Sequence, residues 1–154
     1  MNTSTKKILS TAEIDRISSE YLRHGRRQDI WEIVSVEVVD RTLTARVRMQ
    51  QYYQSPSDAG GFHLTSFATL EFLSQLFIIY GHVLAGLTDK SQEAWMMESN
   101  ITCRRAIRSA DDIRVEMQFK TLKKIGDRML GNASARVWDE QGGEFLAQIK
   151  ALLA

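Results

Sequence analysis

Glu71, Ser74 and Gln75 are polar residues inside a run that is otherwise apolar, from Leu64, Phe67 and Leu70 through Phe72, Leu73, Leu76, Phe77, Ile78 and Ile79 to Val83 and Leu84. On a helix, spacings of three and four put these polar residues on one face. Burying a carboxylate costs several kcal/mol unless it is hydrogen-bonded or protonated. Glu71 therefore has two readings. It is a general base or acid set in an apolar site, or it caps a loop or pairs with an arginine such as Arg104 or Arg105. His63 follows Gly60-Gly61-Phe62 at the expected first turn of this helix. Backbone N–H groups there are unpaired and the dipole is positive, so a carbonyl oxygen would meet hydrogen-bond donors. His63 either adds a donor or holds water in that place, or it is a structural loop residue. Eight residues of helix separate it from Glu71, roughly 12 Å along the axis. One chain cannot bring both to a single reacting atom, whereas a two-fold dimer can, which implies a composite site.

The elements that must position these residues follow from periodicity. An amphipathic helix is expected within residues 1–25, capped by Ser10 or Thr11, with Glu13 in its first turn, Ile14, Ile17, Tyr21 and Leu22 on one face, and Gly25 at its end. Trp31–Val39 and Leu43–Gln50 read as two strands paired about Asp40–Thr42; in the second, Leu43, Ala45, Val47 and Met49 alternate with polar residues. A polar segment carries Tyr52, Tyr53, Pro56, Asp58 and the glycine pair. The apolar helix is expected over 63–86, wrapped by protein on most sides, with Gly86 and Thr88-Asp89 closing it. Strands at 94–107, 113–120, 129–138 and 144–153 follow, the last two joined by the Asp139–Gly143 hairpin loop. This order predicts one α+β domain spanning 1–154, in which a curved antiparallel sheet of five or six strands wraps a long central helix. That is the hotdog fold, with some other α+β roll as the alternative.

Composition narrows the chemistry. The chain has 154 residues, 44% hydrophobic and 25% charged, with a net charge of +1. This gives no electrostatic reason to expect nucleic acid or an anionic membrane as partner. The longest apolar stretch, 67–87, is interrupted by Thr69, Glu71, Ser74, Gln75 and His82, so a core helix is expected rather than a span. Cys103 is the sole cysteine, which excludes an intrachain disulfide and fits a reducing, cytoplasmic setting; it is expected to be buried and inert. No nucleophile elbow, P-loop, dinucleotide fingerprint or metal-ligand cluster is present, and no metal is expected. His24 and His82 read as structural or exposed.

Two resemblances carry the reading further. The segment from His63 to Gln75, with Glu71-x-x-x-Gln75, is similar to the catalytic helix of 3-hydroxyacyl-carrier-protein dehydratases, where a histidine and this glutamate act from two subunits. The stretch Gly61-Phe62-His63 to Ser74-Gln75-Leu76, with Val137-Trp138-Asp139-Glu140-Gln141-Gly142-Gly143, resembles the helix entry and hairpin of FcoT-type fatty acyl-CoA thioesterases. By position Tyr53 or Tyr52 matches that family's site tyrosine, and Thr65 and Ser74 stand where it has asparagines. The resemblance implies a thioesterase acting on acyl-CoA or acyl carrier protein, in fatty-acid or polyketide metabolism. A dehydratase or lyase, and a non-catalytic acyl-binding protein, are the alternatives. The expected catalytic residues are His63, Glu71, Ser74, Tyr53 and Thr65. The expected substrate contacts are Gly61, Phe62, Leu64, Gln75, Arg104 and Arg105, with Arg108 extending a basic strand edge toward pantetheine phosphates. Coenzyme A or phosphopantetheine enters as part of the substrate, no separate cofactor is expected, and the assembly is a homodimer or a higher oligomer of dimers.

Overall fold

The computed structural model describes residues 8–18, 29–54 and 58–154. Helix α1 runs Thr11–Ile17, and strands β1 (Ile30–Val39) and β2 (Thr42–Gln51) precede helix α2 (Ser66–Leu84). Strands β3 (Ala94–Arg105), β4 (Ile113–Ile125), β5 (Arg128–Trp138) and β6 (Glu144–Leu153) complete the order. All six strands form one antiparallel sheet in the order β1-β2-β4-β5-β6-β3. Helix α2 packs against β1 and β3, the two opposite edges, and against β6. A flat sheet cannot touch one helix with both edges, so the sheet is rolled around it, as the hotdog reading requires.

Alternation produces the roll's core. Leu43, Ala45, Val47 and Met49 of β2, Ile113, Val115, Met117 and Phe119 of β4, and Phe145, Ala147, Ile149, Ala151 and Leu153 of β6 are all buried. They meet Ala68, Phe72, Leu73, Leu76, Phe77 and Tyr80 of α2. Tyr80 stacks on Phe119 at 3.6 Å between centroids and gives its hydroxyl proton to the Asp40 carbonyl. By length and composition α2 could cross a membrane, but 56% of it is buried inside the roll, which accounts for its apolarity.

Several expectations are corrected. Helix α2 has 19 residues rather than the span 63–86, because Thr65 is its N-cap, accepting the Ala68 N–H. His63 and Leu64 precede the helix outside any regular element, and Leu64 N–H bonds the Ile107 carbonyl 2.9 Å away. At the far end the helix stops at Leu84, two residues short of 86, with Ala85 as its C-cap and Gly86, at φ 67°, in the closing turn as expected. The helix is covered on most sides, as expected, and leaves Phe67, Val83 and Leu84 each about half exposed. Of the two expected caps it is Ser10 that caps helix α1, in a capping box with Glu13, and the helix buries none of its residues. Tyr21, Leu22, His24, Gly25 and Pro56 lie outside the described residues. Cys103 is exposed on edge strand β3, not buried, although partial desolvation still holds its thiol above the ordinary value. His82 is structural: it accepts the Ser91 N–H at Nε2, so Nδ1 carries the proton donated to the Ile78 carbonyl.

The β5–β6 hairpin uses its two glycines differently. Gly142 has φ 87°, a left-handed conformation. Gly143 is needed for space: a Cβ there would lie 2.5 Å from both the Ala106 oxygen and the Ile107 Cα. Both are backbone atoms, so no rotamer change relieves the clash. We expect Gly143→Ala to cost about 2 kcal/mol or more, read as a lowered Tm, while Gln141→Ala at the exposed loop tip leaves Tm nearly unchanged.

Candidate functional site

The stripe of α2 that the sheet does not cover carries Phe67, Leu70, Glu71 and Ser74. Together with Trp31 of β1 and Met96 of β3 they line a groove of about 590 Å³. Its walls are apolar except for Glu71 and Ser74. Glu71 is exposed in this groove, not buried as its sequence context suggests. The sheet covers the opposite side of the helix, and hydropathy alone does not distinguish the two faces. The Trp31 indole N–H donates to Glu71 Oε2 at 3.0 Å and so fixes one side of the carboxylate. Trp31 is itself held edge-on by Phe72, 6.2 Å between centroids. Ser74 donates its hydroxyl proton to the Leu70 carbonyl at 2.7 Å, which leaves its oxygen able only to accept.

Neither arginine named as a partner for Glu71 takes that role. Arg104 and Arg105 both face Glu144. Gln75 lies on the adjoining side of the helix, in a smaller cavity with Ile78, His82 and Leu87. Thr65 spends its hydroxyl on the helix cap. Phe62 and Leu64 are buried in the core, Phe62 against the Tyr52 ring, and Tyr53 is half-buried.

His63 belongs to a second polar cluster, at the entrance to α2. Its Nδ1 lies 2.5 Å from Asp58 Oδ2. Asp58 also accepts the Gly60 N–H at 3.0 Å and Arg108 Nη1 at 3.0 and 3.1 Å. The Gly60 N–H and the Arg108 guanidinium, outweighing some desolvation, hold the Asp58 carboxyl below its usual range. Arg108 thus does not extend the basic edge of β3; it lies beyond the strand and ties the loop before α2 to the β3–β4 connection. An anionic Asp58 facing Nδ1 favours the tautomer with its proton on Nδ1 and the lone pair on Nε2. Glu71 and His63 therefore sit in two separate constellations of the chain.

The sequence reading missed Trp31, Met96 and Asp58. Trp31 and Met96 reach the groove only because the two sheet edges close on α2. Asp58 had a local signal in the short step to Gly60 and His63.

A scan against protein-family models finds no match, and a search of curated proteins finds none either. Solved structures do match. A thioesterase of Pseudomonas aeruginosa, crystallised as a mutant, is 16% identical, with a TM-score of 0.53 over 82% of this chain and 81% of its own. A thioesterase of Haemophilus influenzae is 10% identical, with a TM-score of 0.53 over 97% and 93%. A hypothetical thioesterase of Streptococcus pneumoniae, solved with coenzyme A, is 13% identical, with a TM-score of 0.50 over 81% and 89%. The chain shares the fold of these proteins, a sheet rolled on one helix. At such identities the likeness is one of fold.

Proposed function

We propose that the chain hydrolyses acyl thioesters of coenzyme A or acyl carrier protein. The observation that carries this reading is the Glu71 carboxylate, set in an apolar groove and oriented by the Trp31 indole. The names of the fold neighbours and the resemblance to FcoT-type thioesterases support it.

In this mechanism the acyl chain lies along Phe67, Leu70, Met96 and Trp31. Glu71 takes a proton from water, with the Ser74 oxygen as a second acceptor that positions it. The water oxygen bonds to the thioester carbon, the carbon–sulfur bond breaks, and the proton passes to the departing thiolate. In a dimer, the N-terminal end of α2 from the second copy supplies positive potential to the carbonyl oxygen.

A homodimer in the cytosol is part of the proposal. Val83 and Leu84 of α2, half exposed beyond the groove, are apolar surface on which a second copy would dock, leaving the groove open beside the contact. Such pairing would bring His63 of one subunit toward Glu71 of the other, with Tyr53 contributing from the loop before the helix. Light scattering is expected to give twice the monomer mass, and a monomer at micromolar concentration would remove the composite site.

Thiol release from a panel of acyl-CoA and acyl-carrier thioesters tests the activity. Turnover is expected to rise with acyl length until the groove is filled. A panel on which no thiol is released would favour the acyl-binding alternative.

A further inference from the structure

Three arginines converge on one carboxylate at the end of the sheet where β5, β6 and β3 run side by side. Arg136 Nε lies 2.8 Å from Glu144 Oε2, and Arg104 and Arg105 reach Glu144 Oε1 at 3.6 and 3.8 Å. Register produces the meeting: Arg105 and Trp138 are both cross-strand partners of Glu144. Residues 135, 137 and 145 point into the core, so Arg136 and Glu144 point away from it, onto the outer face. The carboxylate is sunk, its side chain 13% exposed, whereas those of Arg104, Arg105 and Arg136 are 58%, 68% and 49% exposed. The Arg136 guanidinium also lies 4.4 Å from the Trp138 ring centroid, which fixes its plane.

One carboxylate can neutralise only one of the three guanidinium groups. Glu140, on the adjoining hairpin, is already paired with Arg114. Glu116 stands opposite Arg136 across β4 and β5, so one positive charge remains in excess, carried by the neighbouring Arg104 and Arg105 and open to solvent. Like charges held this close repel, and guanidinium forks match the oxygens of a phosphate. We propose that Arg104, Arg105 and Arg136, organised by Glu144, form a phosphate-binding site. Its ligand class is the phosphorylated nucleotide end of a coenzyme A-type carrier. In naming that carrier the assignment rests on the thioester reading; the phosphate chemistry does not.

Calorimetry with free coenzyme A, dephospho-coenzyme A and pantetheine tests the site without requiring turnover. Coenzyme A is expected to bind at least about tenfold more tightly than pantetheine, the size of one charge-assisted contact. The Arg104→Gln/Arg105→Gln double variant should lose that preference and keep its affinity for pantetheine, while Arg46→Gln, elsewhere on the sheet, should change neither. Dephospho-coenzyme A assigns the contact to the diphosphate if it binds like coenzyme A, and to the ribose phosphate if it binds like pantetheine. The proposal is overturned if the wild-type protein does not distinguish coenzyme A from pantetheine, or if the double variant retains the preference. Should the protein bind coenzyme A with this pattern yet hydrolyse no thioester, the hydrolase reading falls and the phosphate site stands.

Discussion

Glu71→Gln is expected to lower kcat for thioester hydrolysis by roughly a hundredfold to ten-thousandfold, the range for a lost general base. The substitution is nearly isosteric. An amide oxygen can still accept the Trp31 indole proton, so the groove keeps its shape and the substrate its place. What disappears is the capacity to take a proton from water. KM and Tm should therefore stay close to wild type, because the site faces an open groove rather than the core. Trp31→Phe is the complementary change: it retains much of the wall but removes the hydrogen bond to Glu71. Its effect on kcat should be smaller, about tenfold, since the carboxylate remains and only its orientation relaxes. Full activity in Glu71→Gln would rule out the catalytic assignment, whatever the substrate.

The largest loss of stability is expected at Asp139, which is 4% exposed. Its Oδ2 accepts the N–H groups of Arg108 and Ser109 at 2.7 and 3.0 Å, and its Oδ1 those of Gln141 and Gly143 at 3.1 and 2.8 Å. One carboxylate thus closes the β5–β6 hairpin and ties it to the loop after β3. Alanine would leave four backbone donors without their acceptor, and the cost is expected at about 3 kcal/mol or more. Asparagine should fold but recover only part of that stability, because its amide group turns two donors toward two of the backbone donors.

Desolvation alone would raise the Asp139 carboxyl, but the four N–H bonds outweigh it and hold the group below its ordinary value. A carboxyl depressed in the folded state contributes stability that is fully present above its unfolded pKa. That contribution is lost as pH falls through the folded value. Urea unfolding should therefore show the gap between wild type and Asp139→Asn narrowing below about pH 4. Asp58, Asp112 and Glu144 are also held low and give both proteins a common acid limb. The difference between the two curves isolates Asp139.

The strands were legible because their chemistry is local. In β6, Phe145, Ala147, Ile149, Ala151 and Leu153 alternate with outward residues, and the predicted bounds are the observed ones. The Asp40 turn was equally readable, since β1 and β2 meet there with Val39 opposite Thr42. The start of α2 was not. Apolar spacing continues through Leu64, yet the backbone N–H of that residue is claimed by Ile107, more than forty residues away. The polar face of α2 was legible as a set of residues but not as a place. Nothing in Glu71 and its neighbours says which side of the helix the sheet covers, so an exposed carboxylate was read as a buried one. The hairpin glycines gave away the turn at Asp139–Gly143. The carboxylate's grip on Arg108 and Ser109 is tertiary and leaves no mark in spacing. Arg104 and Arg105 stood out as basic residues, but Arg136 and Glu144 join them only through register.

The central claim, that Glu71 in its groove drives hydrolysis of an acyl thioester, is tested most directly by mass spectrometry of the acyl product formed in oxygen-18 water. Wild-type protein should yield free acid carrying one heavy oxygen, and Glu71→Gln should yield almost none. Recovery of intact thioester, or of a thioester altered only by loss or gain of one water, would contradict the account.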